Sequence, residues 1–591
     1  MGRCQEFSYL SHFYGLRLAS SFRTHIRELF VYHREDYQKR VELSLAKYVS
    51  SIYMSKILCL INYVFYLRSQ AHSTVASQFI FFSQHSFLIE PEDLDDIFPH
   101  RKWLTIVTSL PSFTNIFLCT SRIFWLVFQE LKLLLSGRFS GLFASPKKKR
   151  TNIGIFGAWG FVRAVNDAFW WEKSNIPACQ ITYLFSRRDL PASQANLDPI
   201  LKRGFRFGII NGVATGDYDP SGKPTTAGSA LEHIRRILFL LSHTGKLLRF
   251  SGLKRVLFTE TLLTHSKSSK MAEQFSMLGL CGVFHYQEVS RDVVSLAASL
   301  SGIVRFGVHW SAAHGINISS LKVHQMFFYS GANEKIICTE AGSSKTKTLI
   351  AGSISHRMLT ADGRNLVSRE ARRIKSKGAK RLLALFDHKA APNFYSFFIN
   401  WLLTDCELGL IIKGKGDTGW GEFLSDDLNG KVTKAISTGR LSVLPGSVQP
   451  ADVGASSEID FCVGMGSTSA IIVCALQGAR VIYLDYENSF RSTFSSETGL
   501  KKDLSAQVVF TNPEEAKTAI LMSGPNKTGE GMTSIPQTVL NEFDPFLDNN
   551  TATRIARFIE CYLRAFENTL DGNEALDLAL DKVRRLSIFQ L

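Results

Sequence analysis

Two successive series of short apolar runs, separated by stretches of helical spacing, constrain this chain more than any other feature. From about residue 151 the runs 152–156, 181–185, 207–210, 256–258, 304–308 and 326–329 read as strands. Helical patterns fill 231–248 and 289–300 between them. A second series begins near residue 345. Its strand patterns fall at 348–350, 382–386, 408–412, 441–444, 461–463, 481–484 and 508–510, with helical patterns at 366–377, 394–405 and 468–477. Strands alternating with helices build parallel sheets, because a parallel return needs a crossover. At 591 residues the chain is too long for one core. The expected fold is therefore α/β, with two Rossmann-like domains facing a cleft. The first spans 151–340 and the second 341–550; helices over 551–591 pack back on the first.

Residues 1–150 read as a helical N-terminal region and a candidate for membrane association. The apolar run 57–67 is too short to span a bilayer, which takes about 20 residues. The run 104–128 is long enough but contains Pro111, Asn115 and Arg122, so it reads as a buried or interfacial helix. The basic cluster Lys147, Lys148, Lys149 and Arg150 marks a boundary. Net charge is +16, which favours an anionic partner. The start of the chain carries Arg3, Arg17, Arg23 and Arg27 around no clean apolar core, so no secretory signal is expected. The ten cysteines form no CxxC pair, which argues against a zinc ribbon and fits a reducing cytoplasm.

Three segments carry chemistry. The strand pattern 461–463 runs into Gly464, Met465, Gly466, Ser467, Thr468 and Ser469, then an apolar helix. Glycines let backbone N–H groups approach a ligand, and hydroxyls at a helix N-terminus suit a phosphate. Lys413 and Lys415 emerge at the C-terminal end of the 408–412 strand, where α/β sheets bind ligands, and could neutralise a diphosphate. Asn166, Asp167 and Trp170 follow the first strand of the first series; a carboxylate among aromatics suits a sugar cleft and general-base work. Gly414, Gly416 and Gly419 mimic a dinucleotide fingerprint, but Trp420, Gly421 and Glu422 come next instead of an apolar helix. No cofactor is expected.

With those residues in view, the chain resembles the bacterial polysaccharide-biosynthesis proteins called the PFTS-motif family. The likeness lies in Asn166–Trp170, Phe306–Trp310, Met465–Ala470 and Asp544–Asp548 with Ala552 and Arg554. Gly466 and Ser467 stand where the family has Pro and Phe; Thr468 and Ser469 match. The resemblance implies a GT-B-like glycosyltransferase, more distantly similar to enzymes that transfer glycerol phosphate or sialic acid from CDP or CMP. Its partners would be a nucleotide-sugar donor and a glycan or lipid-linked glycan acceptor. The basic run Lys147–Arg150 beside aromatic-rich helices, with the +16 charge, leads to the expectation of a cytoplasmic protein peripheral to an anionic membrane surface. Asp167 is then the candidate catalytic base and His309 the alternative. Gly466, Ser467, Thr468, Ser469, Lys413 and Lys415 would hold the donor phosphates, and Asn166 and Trp170 the substrate. No metal is expected: a helix N-terminus and lysine can take the leaving group's charge, and the pair Asp426–Asp427 reads as a solvent-facing loop. Two other readings are a nucleotide-sugar epimerase and a basic nucleic-acid-binding protein. No RRM, KH or zinc signature supports the latter, so nucleic acid is not an expected partner.

Overall fold

The computed structural model describes residues 38, 41, 79–82, 104–107, 112–135, 150–156, 170–185, 204–210, 215–217, 229–250, 252–285, 292–308, 325–331, 346–353, 359–386, 392–414, 426–465, 468–484, 508–523, 535, 537–548 and 550–586. Strands β1 (Phe79–Phe82) and β2 (Leu104–Val107) form a parallel pair, and α1 (Ser112–Leu135) comes after them. The single helix expected over 104–128 is therefore a strand and then a helix. Thr105, Ile106 and Val107 are β-branched and favour extended backbone, and Pro111 separates the two segments in sequence.

The first sheet contains β3 (Asn152–Phe156), β4 (Ile181–Phe185), β5 (Arg206–Ile210), β6 (Thr215–Asp217), β7 (Leu280–His285), β8 (Val304–Val308), β9 (Met326–Tyr329) and β10 (Lys347–Ile350). Their order is β10-β9-β8-β7-β3-β4-β5-β6, parallel except for the β5–β6 edge. Helices α2 (Ala230–Thr244), α3 (Gly252–Met277) and α4 (Asp292–Ser301) accompany it. Three sequence readings change here. The run 256–258 lies inside α3, because a short apolar run in a helix buried on several sides has no period that marks it helical. Central strand β7 carried no clear strand pattern, with Gly282 in its middle. The strand near 348–350 is the edge of the first sheet, hydrogen-bonded beside β9, so that sheet runs past the expected boundary at 340/341.

The second sheet has β11 (Arg381–Phe386), β12 (Leu408–Lys413), β13 (Leu441–Leu444), β14 (Phe461–Met465), β15 (Val481–Leu484) and β16 (Val509–Phe510), all parallel in the order β13-β12-β11-β14-β15-β16. Its helices are α5 (Ala361–Lys375), α6 (Pro392–Thr404), α7 (Asp426–Ser437), α8 (Pro450–Gly454), α9 (Ser469–Leu476), α10 (Pro513–Met522) and α11 (Gln537–Phe543). Successive strand residues point to opposite faces. Leu382, Ala384 and Phe386 pack with Val367 and Ile374 of α5 and Ile471 and Ile472 of α9. Leu383 and Leu385 pack with Phe394 and Phe398 of α6 and Val432 of α7. The sheet is thus covered on both sides, which is why its strands read as unbroken apolar runs.

The chain then returns to the first sheet through α12 (Thr551–Thr569) and α13 (Gly572–Val583). Phe558, Ile559 and Tyr562 pack on Ile155, Phe284, Phe306 and Phe328. Tyr562 is fully buried, and its hydroxyl donates to the Cys281 carbonyl at 2.6 Å. Burying such a side chain contributes about 1.5–3 kcal/mol. The opposite face meets Met271 and Phe275 of α3 and Val294 and Ala297 of α4. Both sheets are Rossmann-like, with the chain reversing direction of growth once in each.

Candidate functional site

Open α/β sheets bind ligands beyond the C-terminal ends of their strands, where strand order reverses. In the second sheet the reversal lies between β11 and β14. Phe386 at the end of β11 is in register with Lys413 on one side and Gly464 on the other. Lys413 and Gly464 therefore stand on one rim, about 10 Å apart at a strand spacing of about 4.8 Å.

Gly464 permits the close approach of α9 to the strand. A Cβ there would lie 2.5 Å from Cγ1 of Ile471 and 2.6 Å from Cγ2 of Thr468, so only glycine lets the first turn of the helix sit this near. Thr468 is the N-cap of α9, with φ −68° and ψ 125°, and its side chain makes no capping hydrogen bond. Ser or Thr at this position usually caps; here the hydroxyl has no such duty. The Thr468 carbonyl accepts from the hydroxyl of Tyr483 at 3.3 Å, which ties the turn to β15. Burial pushes the Tyr483 phenol well above its ordinary value, so that donor stays protonated.

Lys413 ends β12 and is buried rather than solvated, its ammonium donating to the Gly414 carbonyl. Behind the rim, fully buried Asp452 of α8 accepts from the Thr360 N–H at 2.6 Å, the Thr360 hydroxyl at 3.0 Å and the Gln449 N–H at 3.0 Å. That carboxylate joins the start of α5 to the turn before α8, a structural role the sequence reading missed. Asp426 and Asp427 are exposed, as expected, but open α7 instead of lying in a loop; Asp427 pairs with Lys431 at 2.8 Å. Lys415, Gly466 and Ser467, and the side chain of Ser469, lie outside the described residues.

In the first sheet the reversal lies between β3 and β7. Phe156 and His285 are in register at its rim, with Gly307 of β8 beside His285. His285 was not singled out from sequence: a lone histidine carries no pattern, and only the strand order shows that it ends the strand at the switch point. Asn166, Asp167 and His309 lie outside the described residues. Trp170 is fully buried in the core, its ring 5.3 Å from that of Trp171 and 5.5 Å from that of Phe284. Its indole N–H has no hydrogen-bond partner among the described residues. Among those residues no group of three or more His, Cys, Asp or Glu could hold a metal ion.

No protein-family model matches the chain, and no curated protein matches it. Solved structures do. HepE of Anabaena in complex with UDP and glucose matches at 12% identity and a TM-score of 0.39, over 69% of this chain and 99% of that one. MnaA of S. aureus with UDP matches at 12% and 0.37, over 65% and 96%. MurG of Acinetobacter baumannii matches at 12% and 0.33, over 73% and 98%. At this identity and superposition the likeness decides neither ligand nor activity.

Proposed function

We propose that the chain is a GT-B-type glycosyltransferase that uses a nucleotide-activated sugar to build a surface polysaccharide or O-antigen-type glycan, as the PFTS-motif resemblance implies. The observation that carries this reading is the rim of the second sheet: Gly464 brings an N-terminus without a side-chain cap to the switch point, and Lys413 ends the strand two places away. Backbone N–H groups of α9, the Thr468 and Ser469 hydroxyls and the lysine would hold the donor phosphates. They would also take the charge that develops on the leaving group, so the transfer needs no metal. Gly466, Ser467 and Lys415 complete this half. Asp167, with His309 as the alternative, would deprotonate the acceptor hydroxyl from the first sheet's side. The acceptor is a glycan on a lipid carrier, met at the cytoplasmic face of a membrane.

A thermal-shift screen of nucleotide sugars tests the reading. A hit whose affinity, by calorimetry, falls at least about tenfold in the folded Thr468→Ala/Ser469→Ala variant supports the donor site, a loss of about 1.4 kcal/mol. Unchanged affinity overturns it. Sugar rearranged or released without acceptor would favour the epimerase instead. Tight, steeply salt-dependent binding of RNA or DNA with no nucleotide-sugar binding would favour the nucleic-acid reading.

A further inference from the structure

Helix α1 is apolar on both sides, yet among the described residues only one side is covered. Cys119, Ile123, Val127 and Leu133 are buried, whereas Phe117, Phe124, Trp125, Phe128 and Leu131 are each 41–63% exposed. Trp125 and Phe128 stack with ring centroids 5.8 Å apart. The neighbouring α2 adds a stripe of exposed Ile234, Leu238 and Leu241. An exposed run of this kind marks an interaction surface.

The exposed charges beside it are basic, and the nearby carboxylates Glu232 and Glu260 are largely buried in ion pairs with Arg235 and Arg122. The only carboxylate on α1, Glu130, is buried beneath the helix, and the exposed charges Arg122 and Lys132 are both basic. A groove of about 290 Å³ opens beside the rings, lined by Ser121, Arg122, Trp125, Leu126, Leu263 and Lys267. Arg122 is half exposed while reaching Glu260 at 2.5 Å. Lys267 is exposed and has no ion-pair partner among the described residues. Apolar walls with a hydroxyl and two cations suit an amphiphilic anion.

We infer that this face docks on an anionic phospholipid leaflet, with a lipid phosphate in the Arg122–Lys267 groove and the α1 rings among the upper acyl chains. The inference deepens the proposed function, on which it rests for the lipid-linked acceptor. No helix among the described residues is long and apolar enough to cross a membrane, so α1 lies in the plane of the interface. A second copy on the same face would bring Arg122, Lys132 and Lys267 against their own like charges across a two-fold contact. A leaflet carrying phosphates does the reverse.

Co-sedimentation of the full chain with vesicles tests this, using phosphatidylcholine alone and phosphatidylcholine with phosphatidylglycerol, at low salt. The chain should pellet with the anionic vesicles. Phe124→Ser/Phe128→Ser should lower that binding by about tenfold, and Arg122→Gln/Lys267→Gln should abolish the preference for anionic over neutral vesicles. Phe124→Ser/Phe128→Ser changes exposed side chains and should keep wild-type melting. Arg122→Gln/Lys267→Gln also frees the mostly buried Glu260 and should melt somewhat lower while staying folded at the assay temperature, and both should keep nucleotide-sugar affinity. Absence of wild-type binding, or equal binding by both variants, overturns the inference. So does a wild-type dimer that Phe124→Ser/Phe128→Ser converts to monomer without any vesicle binding, which would assign the face to a second copy. Vesicle binding without nucleotide-sugar binding would remove the proposed function and leave this surface standing; the converse would do the opposite.

Discussion

Arg554 grips Asp548 with both of its terminal nitrogens, Nη1 to Oδ1 at 3.1 Å and Nη2 to Oδ2 at 2.5 Å. The same Nη1 donates to the carbonyl of Ala351 at 3.2 Å, and the guanidinium lies 3.4 Å over the ring of Phe546. Ala351 lies just past the last strand of the first sheet, and Asp548 precedes the helix that returns to it. One buried side chain thus joins the outgoing and returning crossings of the chain.

Removing Asp548, which is partly exposed, takes two charge-assisted hydrogen bonds from that guanidinium and leaves its bond to Ala351. Asp548→Ala should destabilise the protein by about 1.5 kcal/mol, read as a lower urea midpoint. An unchanged midpoint would show that the two crossings are held by packing alone.

A second prediction concerns acid. Burial alone would raise the carboxyl of Glu130, but the hydrogen bond with His233 and the charges of Arg236 and Lys270 outweigh it and bring it from 4.5 to about 2. Lys270 itself is lowered, because its desolvation exceeds the attraction of Glu130. A depressed carboxylate stabilises the fold fully above its unfolded value, and the contribution is lost as pH falls through its folded value. The window therefore runs from about 4.5 down to about 2, and the contribution is roughly 3 kcal/mol at about 1.4 kcal/mol per unit. Glu130→Gln should melt well below wild type at pH 6, and the gap should shrink as pH falls through that window. A gap independent of pH would remove the charge from the explanation.

Gly464→Ala places a methyl 2.5 Å from Ile471 and pushes the start of α9 off the strand. The expected cost is about 1–3 kcal/mol, together with weaker nucleotide-sugar binding. Gly478→Ala is the control: its φ of +84° strains alanine, but nothing lies within 4 Å of the new Cβ. It should lower stability by roughly 1 kcal/mol and leave donor affinity alone. Equal donor affinity in both variants would detach the glycine turn from the donor site.

Tyr562→Phe removes the donor to the buried Cys281 carbonyl and keeps the ring packing. A buried acceptor left without its partner costs about 1–3 kcal/mol, measurable as a drop in Tm. No drop would mean that another donor replaces the phenol.

The two α/β series were legible because buried parallel strands are unbroken apolar runs: 152–156, 181–185, 304–308 and 481–484 appear with those bounds. What local pattern could not supply was the partner of each run. The run 348–350 reads as the first strand of the second series because nothing in so short a run states which sheet an edge strand joins. Val256–Phe258 looks extended because α3 is buried on several sides and lacks a solvent stripe there. At the candidate site, the glycine turn and Lys413 were visible as strand ends. His285 was not, since its place at a reversal of strand order depends on residues from 152 to 308. Asp452 likewise stood out in no pattern, because its three donors come from segments distant in sequence or folded back on it.

The sheet face that Phe558 and Tyr562 cover has a consequence during synthesis. Strands β3 to β10 leave the ribosome long before the helices that close over them, and everything between residues 359 and 543 is made in the interval. The later-made sheet, with all its covering helices encoded within that interval, can mature first. The earlier one waits with Phe284, Phe306 and Phe328 uncovered, a nascent surface that invites chaperones and makes premature termination before residue 551 far more damaging than its distance along the chain suggests.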